Sequence, residues 1–302
     1  MKALYLFAAL LAPGPALLFQ NPRVPIVLPA QGLRVTVLER DDQDAAAWRA
    51  IRDLGANVVA TLRPPSRETD DLATTSGLTY LAFLTTDEIP ILSRDVARME
   101  EIRSERSLAG FYFWDAQVTE GFTTPEVQRQ AYSTLKLLFP EKLVLYPTRL
   151  DPIVWNADFL DRYFRPEFTD LVTPYFYPVG TTILGEMREE DAWQGRLGGL
   201  LSALASRIPA GKGLLPVLQG FEQQGYSVST HFLADQFAVY RSFWPNLSNA
   251  AVFAWKFSTM ESAPLIEIAG RPDLQEGVCN LFSSLSRVSC RSRRLLPWRS
   301  GA

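Results

Sequence analysis

Eight short apolar runs, most of them followed by a helix-like stretch, recur along the chain: Leu33–Leu38, Asn57–Thr61, Leu78–Leu84, Leu108–Trp114, Lys142–Tyr146, Asp170–Tyr177, Leu214–Gln219 and Ala250–Phe257. Continuous Val, Ile, Leu and Phe blocks mark parallel strands buried on both faces, with helices on one side and a barrel core on the other. The alternation predicts an α/β chain folded as a (β/α)8 TIM barrel, a single domain with a C-terminal extension. Such a barrel collects its chemistry at the carboxyl ends of its strands. The residues at and past the run ends therefore form one convergent set: Glu39, Arg63, Asp87, Trp114, Asp115, Tyr146, Arg149, Tyr175, Tyr177, Gln219, Glu222, Trp255 and Lys256.

The 302 residues accommodate one barrel of roughly 250 residues with segments at both ends. Lys2, the apolar stretch Ala3–Ala12 and the small residues of Gly14-Pro15-Ala16 predict a signal peptide over 1–16. The stretch is too short for a bilayer, which takes roughly 20 apolar residues. The expectation is therefore a secreted or periplasmic protein with no stable membrane span after processing; an uncleaved anchor is the alternative. Residues 17–30 read as a Pro-rich linker, 31–259 as the barrel and 260–302 as the extension. That extension ends in a basic tail, Arg287, Arg291, Arg293, Arg294 and Arg299, on a chain of net charge −3. An acidic barrel gives no reason to expect a nucleic-acid partner. Export would let the chain's two cysteines, Cys279 and Cys290, pair and staple the tail; two free thiols are the other reading.

Helix signals fill the gaps between runs. Asp42 is placed to cap a first helix with Trp48, Ile51 and Leu54 on one face and Gly55 ending it. The segment Pro64–Ser76 has two prolines and no apolar face, so a second helix is expected to be short or absent. Thr124 and Pro125 open a later helix whose stripe is Val127, Ala131, Leu135 and Leu138. Glu190–Ile208 and about Thr230–Phe243 supply two more.

Several chemistries are poorly supported. The single histidine, His231, opens a helix, and no triad or zinc-ligand spacing surrounds it. Gly195, Gly198 and Gly199 fall inside a helix, and Gly211-Lys212-Gly213 precedes a strand, so no phosphate cradle is visible. No cofactor and no metal are expected. What remains is acid chemistry framed by rings. Cleaving a glycosidic bond needs two carboxyl groups flanking it, and Asp115 and Glu222 close the fourth and seventh runs. Trp114, Tyr146, Tyr175, Tyr177 and Trp255 offer flat faces for sugar CH groups, with Glu39, Gln219, Arg63 and Lys256 as polar partners. The plainer alternative is that the rings close the core and that Arg63 or Lys256 pairs with Glu39 or Asp115.

Three segments carry a resemblance: Ala109-Gly110-Phe111-Tyr112-Phe113-Trp114-Asp115, Asp170-Leu171-Val172-Thr173-Pro174-Tyr175-Phe176-Tyr177-Pro178, and Leu215-Pro216-Val217-Leu218-Gln219-Gly220-Phe221. They look like the fourth, sixth and seventh strand ends of secreted glycoside-hydrolase-like barrels, and Phe253-Ala254-Trp255 fits the eighth. The resemblance covers about Leu33–Phe257 and implies a carbohydrate substrate or ligand. It departs at one informative place. Where those proteins read Asp-Glu-Pro, this chain reads Asp115-Ala116-Gln117, leaving acid catalysis to Asp115 or Glu120; the strand-six aspartate is also replaced, by Pro174. Three readings follow: an exported glycosidase with Asp115 as acid and Glu222 as nucleophile or base, a non-catalytic barrel that binds glycan or envelope material, or a different barrel reaction.

Overall fold

The structure, a computed structural model, describes residues 32–38, 44–113, 124–150, 157–178, 180–181, 187–188, 193–223, 228–256, 265–266 and 268–286. The segments expected as signal peptide (1–16), Pro-rich linker (17–30) and basic tail fall outside these residues. So do Glu39, Trp114, Asp115, Ala116, Glu120 and Cys290.

Every apolar run contains strand. They are β1 (Arg34–Leu38), β2 (Val58–Thr61), β3 (Thr79–Leu84), β4 (Leu108–Phe113), β5 (Leu143–Arg149), β6 (Leu171–Tyr175), β7 (Val217–Gln219) and β8 (Ala250–Lys256). All neighbours pair in parallel and in sequence order. The ring closes where Val217 of β7 meets Tyr175 of β6 and where β8 pairs with both β7 and β1. This is a closed eight-stranded parallel barrel with helices, the (β/α)8 architecture. The seventh run is interrupted: Gly213–Leu214 pairs separately with β6 before β7 begins.

Side-chain alternation at period two sorts each strand into two cores. Val35, Val37, Val58, Ala60, Leu81, Leu145, Leu171 and Ala251 fill the barrel. Their neighbours Val59, Ala82, Phe111, Val144, Val172, Leu218 and Val252 face outward against helix residues such as Trp48, Leu135, Leu201 and Phe237. The helices are α1 (Ala45–Asp53), α2 (Arg67–Ser76), α3 (Glu88–Leu92), α4 (Val96–Ser104), α5 (Pro125–Leu138), α6 (Ala157–Tyr163), α7 (Trp193–Ala205), α8 (Phe232–Phe243) and α9 (Pro272–Leu285).

Two expectations are corrected here. The second helix is present and spans ten residues. Ser66 caps it, its Oγ accepting from the Thr69 N–H, and Gly77 at φ +69 ends it. Its buried face is Thr69, Ala73 and Ser76, small side chains that let the helix lie close to the sheet and escape a search for large apolar stripes. The first helix is capped by Asp44, whose Oδ1 accepts from the Ala46 N–H at 2.8 Å; Asp42 lies outside the described residues. A third finding concerns the segment read as an extension. Helix α9 packs against α8, and its Leu274, Val278, Leu281 and Phe282 belong to the outer core. It is the helix that follows the eighth strand. Cys279 on α9 is buried and disulfide-bonded.

The amino-terminal end of the barrel is fastened by side chains bonded to backbone. Asn249 accepts from the Leu33 N–H at 2.8 Å and donates to the Leu214 carbonyl at 2.9 Å. Asn57 accepts from the Arg34 N–H and donates to the Gly32 carbonyl. Asp170 accepts from the Val144 N–H, from the Tyr132 hydroxyl and from Lys136. These polar groups fix neighbouring strands at the end opposite the functional one.

Candidate functional site

The carboxyl ends of β6, β7 and β8 bring four rings together. Tyr175 and Tyr177 share a barrel-facing register and lie 5.1 Å apart between centroids. Tyr177 stacks on Phe253 at 5.5 Å and 22°, and meets Phe221 edge-on at 5.1 Å. Phe221 also meets Phe253 edge-on at 5.9 Å. Tyr175 and Phe221 are buried, whereas Tyr177 and Phe253 are half-buried. The near-parallel pair is thus the accessible part, and the two buried rings form its backing.

Local sequence explains the arrangement. Tyr175 and Tyr177, two residues apart, project to one side of an extended segment. Gly220 lets the end of β7 approach β8: its N–H donates to the Phe253 carbonyl at 2.6 Å, and a Cβ there would lie 2.4 Å from Val252 Cγ1. Gln219 is fully buried; its Nε2 donates to the Phe221 carbonyl at 3.1 Å. The side chain of Gln236 on α8 bonds both the N–H and the carbonyl of Gln219, at 3.0 and 3.1 Å. Deeper in the barrel, Tyr112 donates to the Thr61 carbonyl at 2.9 Å and meets Phe83 edge-on at 5.6 Å. Burial holds the Tyr112 phenol well above its ordinary range, so it serves as a neutral donor.

Glu222 sits beside this cluster, immediately past β7, with its carboxylate turned to other partners. Its side chain is only 2% exposed. One oxygen accepts from the Val228 N–H at 2.9 Å and the other pairs with Arg271, at the start of α9. Arg271 also grips Asp273 through two nitrogens. Hydrogen bonding to Asp273 and Glu222 raises the Arg271 guanidinium above its ordinary value, and Arg271 in turn holds the Asp273 carboxyl below its own. A short antiparallel pairing of Glu222–Gln223 with Leu265–Ile266 reinforces the same junction.

The other sequence-predicted residues divide. Arg63 and Arg149 are half-buried at the ends of β2 and β5. Tyr146 and Trp255 are not brought to the ring cluster; both lie in the layer between sheet and helices. Tyr146 stacks on Phe113 at 4.3 Å and 6°. Along β8, Thr36 pairs with Val252 but Leu38 pairs with Lys256, and this change of register carries Trp255 off the face that Phe253 occupies. Lys256 is the last residue of β8, and its side chain, like Glu39, Trp114 and Asp115, falls outside the description. Sequence reading missed Phe221, Phe253 and Arg271 as members of this region. Phe221 was available from its two-residue step from Gln219, whereas the partnership of Arg271 with Glu222 across 49 positions left no local signal. No group of three or more acidic, His or Cys side chains suited to a metal ion occurs among the described residues. No helix among them is long and apolar enough to cross a membrane.

The barrel is similar in fold to several solved structures. A GH2 β-galacturonidase from Eisenbergiella tayi, solved with galacturonate, superposes with a TM-score of 0.55 at 14% identity, covering 84% of this chain and 51% of that one. A β-D-glucuronidase from Dictyoglomus thermophilum gives 0.54 at 12%, covering 86% and 51%. The C-terminal domain of a putative chitinase from Desulfitobacterium hafniense DCB-2 gives 0.51 at 10%, covering 84% and 99%. The chain thus spans about half the length of the two uronidases. At these identities the likeness is one of fold. No family model and no curated protein matches the chain.

Proposed function

We propose that this chain is an exported, glycoside-hydrolase-type barrel that binds carbohydrate on the Tyr177–Phe253 platform. The observation that carries the reading is the four-ring cluster with two accessible, nearly parallel rings at the functional end of the barrel. Apolar ring faces bury sugar CH groups while Arg63, Arg149 and polar backbone at the rim are chemically suited to hydroxyls. The glycosidase identity of the fold neighbours supports a saccharide over other small molecules, as an argument from fold analogy. Glu222, with both oxygens engaged, favours retention of the ligand over its cleavage.

Hydrolysis is the second reading, favoured by the place of Glu222 just past the end of β7, where barrel glycosidases place a catalytic carboxylate. Asp115, after β4, would then donate the proton. One screen separates the two: the mature protein against chromogenic glycosides and immobilised polysaccharides, reading hydrolysis and retention together. Retention without turnover supports the binding reading, turnover lost in Asp115→Asn supports the second, and neither response rejects both. Tyr177→Ala should weaken retention about tenfold, the equivalent of about 1.4 kcal/mol, as expected for loss of one stacking ring. Unchanged affinity would move the ligand elsewhere. The proposed export predicts a mature N-terminus near Leu17, checked by mass spectrometry of secreted material.

A further inference from the structure

We infer that Arg271 is a positioning residue for the ring platform, acting through Glu222 to fix the segment that carries Phe221. The inference deepens the binding reading above but rests on contacts that exist whether or not a saccharide is the ligand. Three observations converge. Glu222 follows Phe221 directly, so a bond that fixes Glu222 also restrains the backbone carrying the ring that meets both Tyr177 and Phe253 edge-on. The carboxylate is almost fully buried and bonded at both oxygens, to the Val228 N–H and to Arg271. Arg271 is itself anchored, by Asp273 and by the N-terminal end of α9, whose Gln275 donates to the Ile268 and Ala269 carbonyls at 3.0 and 3.1 Å.

Helix α9 also approaches the start of α8 closely. A Cβ at Gly277 would lie 2.9 Å from the Thr230 carbonyl oxygen, so the helix meets that backbone with no side chain between. A buried carboxylate deprived of its cation must find water or another partner, and movement of its own segment is one way to reach them. The guanidinium therefore adds a side-chain tie to the short pairing of Glu222–Gln223 with Leu265–Ile266, and the two together restrain Phe221 in the cluster.

The test compares wild-type protein with Arg271→Met, Glu222→Gln, the double variant and Arg271→Lys, each full-length. Amide hydrogen exchange is followed by mass spectrometry on peptides covering 217–223 and 228–231, beside a control peptide covering 143–149 on β5. Arg271→Met and Glu222→Gln should each speed exchange in the first two peptides by tenfold or more while leaving the control unchanged. The double variant should be no faster than the faster single one, because both changes cut the same link, and Arg271→Lys should recover part of the protection. Additive effects, or equal acceleration in the control peptide, would show a general loss of stability and overturn the inference. So would unchanged exchange. The exchange readout needs no ligand, so its failure is separate from failure of the carbohydrate reading. Where the parent retains an immobilised polysaccharide, Glu222→Gln should weaken that retention with Arg271→Met. If Glu222→Gln retains the polysaccharide as the parent does, Glu222 does not position the site and the inference fails.

Discussion

Gly220 shows how one absent side chain sets the geometry of the candidate site. Its N–H reaches the Phe253 carbonyl, and the space where a Cβ would stand is filled by Val252 Cγ1 at 2.4 Å and Ile268 Cδ1 at 3.0 Å. Contacts this short require β7 and β8 to separate or the outer core to repack, and overpacking of that kind costs about 1–3 kcal/mol. Gly220→Ala is therefore expected to lower stability by an amount in that range, measured by urea denaturation. Because Phe221 is the next residue, the same substitution should also weaken polysaccharide retention where the parent shows it. A stability loss with retention intact would mean that the ring edge of Phe221 is dispensable. The buried hydroxyl of Tyr146 is a contrasting case. It has no hydrogen-bond partner, and its ring is held by stacking on Phe113, so its place in the fold comes from apolar area rather than from polar chemistry.

At the scale of elements, the barrel was legible because both faces of a parallel strand are buried, and eight apolar runs alternating with helical stretches leave few other architectures. The helices were legible where large residues repeat, as in α1 and α7. They were not where small residues make the buried face, as in α2, or where a helix follows a segment without a strand signal, as in α9. The site was half legible. Tyr175 and Tyr177 reach the mouth because alternation survives through β6 and past it. Trp255 does not, because the β1–β8 register changes within β8, and period-two reading has no access to a register change. The amino-terminal fastenings were invisible as well, since an Asn before a strand reads as an ordinary loop residue. Asn249 is the most demanding of them: it bridges the chain before β1 to Leu214, while β8 begins at the next residue. Asn249→Ala would strip partners from a buried N–H and a buried carbonyl, each such loss costing about 1–3 kcal/mol. The expected outcome is destabilisation of about 2–4 kcal/mol, visible as a lower urea midpoint with an unchanged slope.

For the molecule as a whole, two features should govern stability. The first is Glu105, 3% exposed at the amino-terminal side of the barrel, where it accepts from the Tyr80 hydroxyl and leaves its second oxygen unpartnered. Burial raises its folded-state pKa despite that hydrogen bond. A carboxylate raised in the fold stabilises the native state while protonated, so its contribution is present below the ordinary carboxylate value and is lost as pH rises through the raised one. Glu105→Gln should therefore melt higher than the parent at pH 8, with the advantage shrinking toward pH 4. A constant difference across that range would assign the effect to packing instead of charge.

The second feature is the reach of the core past β8. Leu274, Val278, Leu281 and Phe282 are each at most 2% exposed and pack in the outer layer with residues from the rest of the barrel. At about 1.5–3 kcal/mol for each fully buried side chain of this size, the four contribute roughly 6–12 kcal/mol against solvent. That is comparable to the whole stability of an ordinary domain, about 5–15 kcal/mol. The helix therefore cannot be a dispensable appendage. Removing residues 271–302 should give a chain without a cooperative thermal transition, whereas removing only 291–302 leaves both the helix and Cys290 in place and should preserve the transition. The comparison is decided by calorimetry of the two truncated chains beside the parent. Should the shorter chain melt cooperatively near the parental temperature, the outer core closes without α9, and the barrel ends where its eighth strand does.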